Sequence, residues 1–165
     1  MPEKFYWDSC CFLGLIKQES GRYEALRSLY KRAESGNLVI ITSALTLSEV
    51  CKVRCEEGSG SPRQQMGEEG DHFLERFFDN DFFWFVDVTP KIGHTARALY
   101  RAHPGIKITN DAIHLATALQ ECVDEMHTYD NNDLISLSGR ITDEAGSRFT
   151  ICVPQAVEPD LLSRL

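Results

Sequence analysis

The chain alternates short runs of apolar residues with longer amphipathic segments. The wholly apolar run LVIIT at positions 38–42 is typical of a strand buried on both faces of a parallel sheet. Positions 22–35 instead repeat apolar side chains every three or four residues, which predicts a helix that ends at Gly36 and Asn37. The same patterns predict further strands in KFYWDS, FFWFVDVT, DEMHTYD and RFTICV. Further helices are predicted in CFLGLIKQ, from Ser43 to about Cys55, in HFLERFF, from Thr89-Pro90 to about Arg101, and from Asn110 or Asp111 to about Glu121.

Strands that are separated by helices require crossover connections. Such connections produce a parallel sheet covered by helices on both faces, so we predict an α/β fold, a three-layer α/β/α sandwich with a central parallel sheet. Residues 56–71 carry five Gly and Pro residues and no apolar stripe, which indicates a flexible loop insertion. Because neither flank is large enough to build its own core, we expect one domain over residues 1–165.

Composition narrows the class of protein. With 165 residues and 42% of them apolar, the chain has enough material for one buried core. Its 17 Lys and Arg against 25 Asp and Glu give a formal charge of -8, which excludes a protein that holds a polyanion through a bulk positive field. No apolar run approaches the roughly 20 residues of a membrane span, and no basic segment followed by an apolar one opens the chain. We therefore expect a cytoplasmic protein without membrane association.

The six cysteines do not predict a disulfide framework. They occupy positions 10, 11, 51, 55, 122 and 152, and the opening residues do not predict an export signal. We interpret the adjacent pair Cys10 and Cys11 and the pair Cys51 and Cys55 as small apolar residues in a reducing environment. A zinc site is disfavoured because neither a CxxC motif nor a properly spaced histidine pair accompanies them.

Acidic residues stand at the positions where predicted strands end. Asp8 ends the first strand and Asp130 ends the strand that contains Met126. Glu49 lies in the second turn of the helix after LVIIT, and Asp111 opens a later helix. In an open parallel sheet the working residues gather outside the carboxyl ends of the strands, so we expect these four acids to share one crevice.

Four carboxylates in one crevice would repel each other, and burial would make each charge more costly. A shared divalent cation removes this conflict. Mg²⁺ and Mn²⁺ prefer carboxylate and water oxygens and often complete their coordination with a substrate phosphate. The pattern therefore predicts metal-assisted phosphodiester chemistry that uses an activated water.

Each acid also has a structural interpretation. Asp8 and Asp111 stand where a carboxylate caps or stabilises a helix N-terminus, and Asp130 lies in TYDNND, which is suited to an Asx turn. Glu49 occupies a helix position where packing alone would favour an apolar residue. The coincidence of four acids at corresponding ends favours a site.

Four segments carry a family resemblance. YWDSC, TSALTLSEV, TNDAIHLATAL and HTYDNNDLISLSG resemble, in order and spacing, the motifs of PIN-domain nucleases, and more specifically the VapC-like toxin ribonucleases. The similarity extends from Phe5 to about Val153, and DAIHLATAL is its most specific part. It implies a metal-dependent endoribonuclease, the toxin of a type II toxin–antitoxin pair, with Mg²⁺ or Mn²⁺ bound by Asp8, Glu49, Asp111 and Asp130.

The resemblance also implies further site residues and partners. Ser9 and Thr128 match small hydroxyl positions that order water or phosphate beside the acids, and Asp133 is a candidate supplement to Asp130, although TYDNNDL is one residue longer than the commonest form of this turn. Residues 56–71 are a longer segment than the corresponding one in the smaller toxins. A clamp and a substrate lid are the two interpretations of this segment that stay open. RNA is the implied substrate, and a small antitoxin and a homodimer are the implied assemblies.

Other polar residues leave alternatives open. His114 shares a helix side with Asp111, and we interpret it as a packed or hydrogen-bonded histidine. Arg97, Arg101 and Lys107 are candidates for a rim that contacts phosphate, with a solvated helix face as an equal alternative. Two other functions also stay open: a noncatalytic PIN-like binding module, and a phosphotransfer enzyme that uses Asp8 as its nucleophile.

Overall fold

The computed structural model describes residues 1–50 and 68–156 and contains a five-stranded sheet. Every neighbouring pair of strands is parallel, and their order across the sheet is β3-β2-β1-β4-β5. The order places β1 in the centre, between β2 and β4, with its carboxyl end beside theirs. The strands are β1 (Glu3–Trp7), β2 (Leu38–Ser43), β3 (Phe83–Val86), β4 (Glu125–His127) and β5 (Ile151–Cys152).

Helices cover both faces of the sheet, which confirms the predicted α/β/α sandwich. They are α1 (Ser9–Ile16), α2 (Tyr23–Glu34), α3 (Leu45–Glu49), α4 (Glu68–Phe78), α5 (Pro90–Ala102) and α6 (Thr109–Gln120), with a short 3₁₀ turn at Ile135–Leu137.

The period-two alternation of strand β1 separates the two cores. Phe5 and Trp7 pack with residues of α1 and α2, whereas Tyr6 between them packs with residues of α5 and α6. Tyr6 and Trp7 are fully buried. Strand β1 is therefore covered on both sides, and the polar atom of Tyr6 must find its partner inside the protein.

The predicted strands and helices are present in the described residues, but their ends differ, and β3, β4 and β5 are shorter than the predicted segments FFWFVDVT, DEMHTYD and RFTICV. The predicted loop at 56–71 is wrong for its last four residues, because α4 begins at Glu68. Acidic residues in a first turn stabilise a helix N-terminus, so the polar composition that indicated a loop is compatible with a helix start. The helix predicted from Ser43 begins instead at Leu45, because Ser43 is the last residue of β2, and it is described through Glu49, with Val50 as its C-cap. The rest of that helix and loop, together with Cys51 and Cys55, lies outside the described residues.

The described cysteines form no disulfide: Cys10, Cys11, Cys122 and Cys152 are free thiols. No helix in the described part of the chain combines the length and the apolar character needed to cross a membrane.

Two helical glycines give a matched test of packing. Gly93 is exposed on α5, and apart from its chain neighbours and the nearby backbone of its own helix no atom lies within 4 Å of the position that a Cβ would take, whereas a Cβ at Gly14 on α1 would lie 2.9 Å from Leu26 Cδ1. We expect Gly93→Ala to raise the free energy of unfolding by about 0.5–1 kcal/mol, because alanine costs less backbone entropy in a helix. Gly14→Ala should gain less or lose stability, because its methyl group must displace the buried Leu26. Urea unfolding of both variants measures the difference, and an equal gain at both positions would contradict it.

Candidate active site

The loop after β4 and the start of α6 bring three carboxylates together. One oxygen from each of Asp111, Asp130 and Asp133 lies within 4.8 Å of the other two. Asp111 stands in the first turn of α6, and the other two belong to the turn that follows β4. Asp133 is almost fully buried, and its Oδ1 is 2.9 Å from the ammonium group of Lys107. Asp133, only a supplement in the sequence-based prediction, is therefore a full member of this acidic cluster.

Asp130 forms the Asx turn that its sequence context predicts as a structural alternative. Its Oδ1 accepts the backbone N–H groups of Asn132 and Asp133, each at 3.2 Å. Its own N–H donates to Thr128 Oγ1 at 3.0 Å. Thr128 is fully buried. The Asx turn thus fixes Asp130 beside Asp111, so the structural role also sets the position of the carboxylate.

Asp8 caps helix α1 at the carboxyl end of β1. Its Oδ1 accepts the backbone N–H of Cys11 at 3.2 Å and the thiol of Cys10 at 2.8 Å, and the residue is 6% exposed. Asp8 is not part of the cluster of three. Its backbone N–H donates to the carbonyl of His127, which joins it to the end of β4.

Glu49, the last residue of α3, is held by hydrogen bonds. Its Oε1 accepts from Asn110 Nδ2 at 2.8 Å, and its Oε2 lies 2.7 Å from His114 Nε2. Burial alone would raise the pKa of Glu49, but hydrogen bonds from His114, Asn110 and Ser9 lower it below its ordinary value. Glu49 therefore keeps a negative charge although it is half-buried.

The electrostatics of Asp111 connect all four acids selected from the sequence. Burial is the largest cause that raises the pKa of Asp111; together with the charges of Asp130, Asp8 and Glu49, and against the opposing effect of His114, it brings this pKa to about 6. The Asp111 carboxylate thus feels each of the other three. A half-buried oxygen cluster with mutual repulsion fits a hard divalent cation such as Mg²⁺ or Mn²⁺, because these ions take carboxylate ligands and balance their charge.

Sequence reasoning missed three contributors to the site: Asn110, Tyr6 and Cys10, whose thiol donates to Asp8 instead of packing as an apolar side chain. Asn110 and His114 are four residues apart on α6 and therefore face the same acid, a spacing that could have signalled their shared role. Tyr6 gives no such signal, since its hydroxyl contacts His114 Nδ1 at 2.7 Å across 108 positions of sequence. The interpretation of His114 as a hydrogen-bonded histidine agrees with these contacts.

The basic candidates occupy different surroundings. Lys107 is exposed, and its ion pair with Asp133 raises its pKa. Arg97 and Arg101 are exposed on α5, and neither has an ion-pair partner among the described residues. Lys107 is therefore the basic candidate that the structure places against the acidic cluster.

A second group of possible metal ligands lies at the edge of the sheet. Glu125, His127 and Cys152 bring one ligand atom each within 4.8 Å of one another. Glu125 Oε2 accepts from His127 Nε2 at 3.0 Å and from the Cys152 thiol at 3.5 Å. Hydrogen bonds within the group account for this arrangement without an ion.

The fold and the site together define an α/β/α domain with clustered carboxylates beyond the carboxyl ends of its central parallel strands. The sequence model of the PIN domain matches residues 5–138. The chain belongs to the PIN-domain family. No curated protein sequence matches it.

Solved structures of toxin–antitoxin proteins share this fold. A toxin–antitoxin complex from Klebsiella pneumoniae is 21% identical with a TM-score of 0.53, and the match covers 92% of this chain and 98% of that one. The sarcin–ricin loop cleaving toxin VapC20 of Mycobacterium tuberculosis is 16% identical with a TM-score of 0.59, over 78% of this chain and 91% of that one. VapBC2 from Rickettsia felis, bound to a DNA fragment from its promoter, is 17% identical with a TM-score of 0.56, over 77% and 87%.

The raised pKa of Asp111 predicts a pH-dependent stability. Because the folded protein binds the Asp111 proton more tightly than the unfolded chain, stability falls as the pH rises from about 4 to about 6 and stays reduced above that range. Asp111→Asn removes this penalty, so we expect it to stabilise the metal-free protein at pH 8 by about 1–2 kcal/mol, after allowance for solvent screening. Urea unfolding in EDTA at pH 8 and pH 4 measures the effect, which should vanish at pH 4. Equal stabilisation at both pH values would contradict this origin.

Proposed function

We propose that this chain is a divalent-metal-dependent endoribonuclease and the toxin of a type II toxin–antitoxin pair. The observation that carries the proposal is the acidic cluster, in which one oxygen from each of Asp111, Asp130 and Asp133 lies within 4.8 Å of the other two. The negative charges of Asp8 and Glu49 also act on Asp111. The VapC20 structure, described as a sarcin–ricin loop cleaving toxin, supports it through a shared fold. We extend the proposal to a single nuclease domain over residues 1–165 that acts in the cytoplasm.

We assign the metal ligands to Asp8, Glu49, Asp111 and Asp130. When bound, Mg²⁺ or Mn²⁺ supplies Lewis acidity, which lowers the pKa of a water molecule and neutralises charge that develops on the phosphate. The protein contributes carboxylates whose positions are fixed before the metal binds. Asp8 is fixed by the α1 cap and Asp130 by its Asx turn, so little ordering entropy remains to be lost when the ligands act together.

The neighbouring polar groups have supporting roles in this proposal. Ser9 hydrogen-bonds Glu49, and Thr128 holds the turn of Asp130. Asp133 adds a third charge to the cluster and keeps the ammonium group of Lys107 beside it. Lys107, with the exposed Arg97 and Arg101, would contact the phosphates of an RNA substrate as the RNA approaches the acidic cluster.

Two macromolecular partners complete the proposal. The Klebsiella pneumoniae neighbour is described as a toxin–antitoxin complex, which supports a small antitoxin as the inhibitor of this chain. We also propose a homodimer.

Cleavage of defined RNA transcripts by the purified full chain tests the activity. We expect cleavage in Mn²⁺ or Mg²⁺, none in EDTA, and recovery when the metal is restored. Asp8→Asn and Asp111→Asn should each lower the rate by about 100-fold or more, because each removes a charge from the metal site. Asp81→Asn provides the matched control, since Asp81 is exposed and precedes the amino end of the edge strand β3, whereas the acids lie beyond the carboxyl ends of the strands.

The outcomes separate the alternatives. Undiminished cleavage in EDTA would contradict metal dependence. Binding of Mn²⁺ without any cleavage of RNA would favour a noncatalytic module, and a covalent phosphate trapped on Asp8 would favour phosphotransfer.

Growth of cells that express the chain tests the toxin role. We expect expression of the wild-type protein to arrest growth, because uncontrolled RNA cleavage blocks protein synthesis, and Asp111→Asn to relieve the arrest. Colony counts after induction measure the effect, with Asp81→Asn at matched protein level as the toxic control. Equal toxicity of the wild-type chain and Asp111→Asn would contradict it. Co-expression with the protein encoded by a small adjacent gene should restore growth to cells that carry the wild-type chain.

A further inference from the structure

A buried chain of hydrogen bonds reaches Glu49 from the interior of the protein. It passes from the backbone of Ser43 to the hydroxyl of Tyr6, through the ring of His114, and ends on Glu49 Oε2. We propose that Tyr6 and His114 are positioning residues that orient the Glu49 carboxylate for the divalent metal ion. The inference rests on the function proposed above.

The direction of the hydrogen bonds follows from the donors available. Ser43 N–H donates to Tyr6 Oη at 3.1 Å, so the hydroxyl is an acceptor there. An ionised carboxylate only accepts hydrogen bonds, so the ring nitrogen 2.7 Å from Glu49 must carry a hydrogen. The network therefore assigns the hydrogen to His114 Nε2 and lets Tyr6 Oη–H donate to Nδ1 at 2.7 Å. Tyr6 selects the tautomer that can bind Glu49.

Burial prevents the members of this hydrogen-bond network from exchanging partners. Tyr6 is 0% exposed and His114 2% exposed, so neither ring can exchange its partner for bulk water. A hydrogen bond to a charged acceptor is strong in such surroundings, and a partner left unsatisfied is costly. Rotation of the His114 ring or loss of its Nε2 hydrogen would break contacts at both ends, which holds the ring in one orientation.

Glu49 needs such support more than Asp8 and Asp130 do. It ends the five-residue helix α3 and carries a longer side chain than these two aspartates, which are fixed by a cap and a turn. Asn110 holds Oε1, whereas His114 holds Oε2, so the two contacts together define the plane of the carboxylate. Groups that orient a metal ligand commonly change metal affinity by about 10–100-fold when they are removed.

Mn²⁺ affinity of the full chain, measured by titration calorimetry and by the EPR signal of free Mn²⁺, tests the proposal. We expect His114→Leu to weaken binding by about 10–100-fold. Tyr6→Phe should weaken it less, because the Nε2 donor remains but is no longer fixed. His114→Gln should stay near the wild-type affinity, since its amide nitrogen reaches the position of Nε2.

A buried leucine away from the site provides a control for stability. Leu29 on α2 is 1% exposed and packs in the core on the other face of the sheet from α6. Leu29→Ala should cost stability through the cavity that it leaves, yet leave Mn²⁺ affinity unchanged. Rescue by glutamine at 114 and the unchanged affinity of the control separate positioning from a general structural role.

A double-mutant cycle with Glu49→Gln tests whether the effect passes through Glu49. In the Glu49→Gln background, His114→Leu should cause no further loss of Mn²⁺ affinity, because the residue that His114 orients has already lost its charge. Additive losses would overturn the proposal.

The remaining outcomes distinguish this inference from the proposed function. A wild-type chain that binds no Mn²⁺ overturns both. Wild-type binding that Asp111→Asn destroys but His114→Leu and Tyr6→Phe leave intact overturns the positioning role alone. If circular dichroism shows that His114→Leu does not fold, the comparison of Tyr6→Phe and His114→Gln with the wild type decides, and an unchanged affinity of Tyr6→Phe overturns the proposal.

Discussion

Repulsion between carboxylates in a partly buried crevice is the constraint on which the site depends. The protein compensates the individual charges by different means. Asp8 receives the Cys11 N–H and the Cys10 thiol, Glu49 receives Asn110 and His114, and Asp133 pairs with Lys107. Where the structure describes the chain, no hydrogen-bond donor reaches the Asp111 carboxylate, and its pKa is raised to about 6. Asp111 is therefore the acid whose charge a cation would stabilise most.

The topology explains why these compensating groups can meet. Strand β1 is central, so its carboxyl end is flanked by the ends of β2 and β4, and Asp8 follows directly. Alternation along β1 sends Tyr6 to the face covered by α6 while Trp7 enters the opposite core. The same strand thus supplies an acid at its end and, two residues earlier, the hydroxyl that supports another acid through α6. Strand β1 therefore contributes both to the packing of the core and to the proposed metal site.

Local patterns were sufficient for the sandwich and for the acids at strand ends. LVIIT is buried in β2 as its apolar run predicts, and Thr89-Pro90 starts α5 because the cap and the fixed φ of proline are local signals. Local patterns could not predict the contacts between residues that are far apart in the sequence. The Tyr6–His114 bond depends on the exact register of β1 against α6, and the burial of Asp133 depends on how the turn after β4 folds onto α6. The start of α4 at Glu68 was missed because polar residues suit both a loop and an acidic helix terminus.

The structural and functional interpretations of an acid at a helix or turn start are not exclusive. An ionised carboxylate has about four lone-pair sites on two oxygens. The cap of Asp8 and the Asx turn of Asp130 each engage Oδ1 with two donors, so each leaves acceptor capacity for a further ligand. Such contacts also remove rotational freedom that a metal would otherwise have to restrict at its own cost in free energy. A capped acid therefore loses less rotational freedom than an uncapped one when it binds a cation, and the features that suggest a purely structural role also prepare the residue for a chemical one.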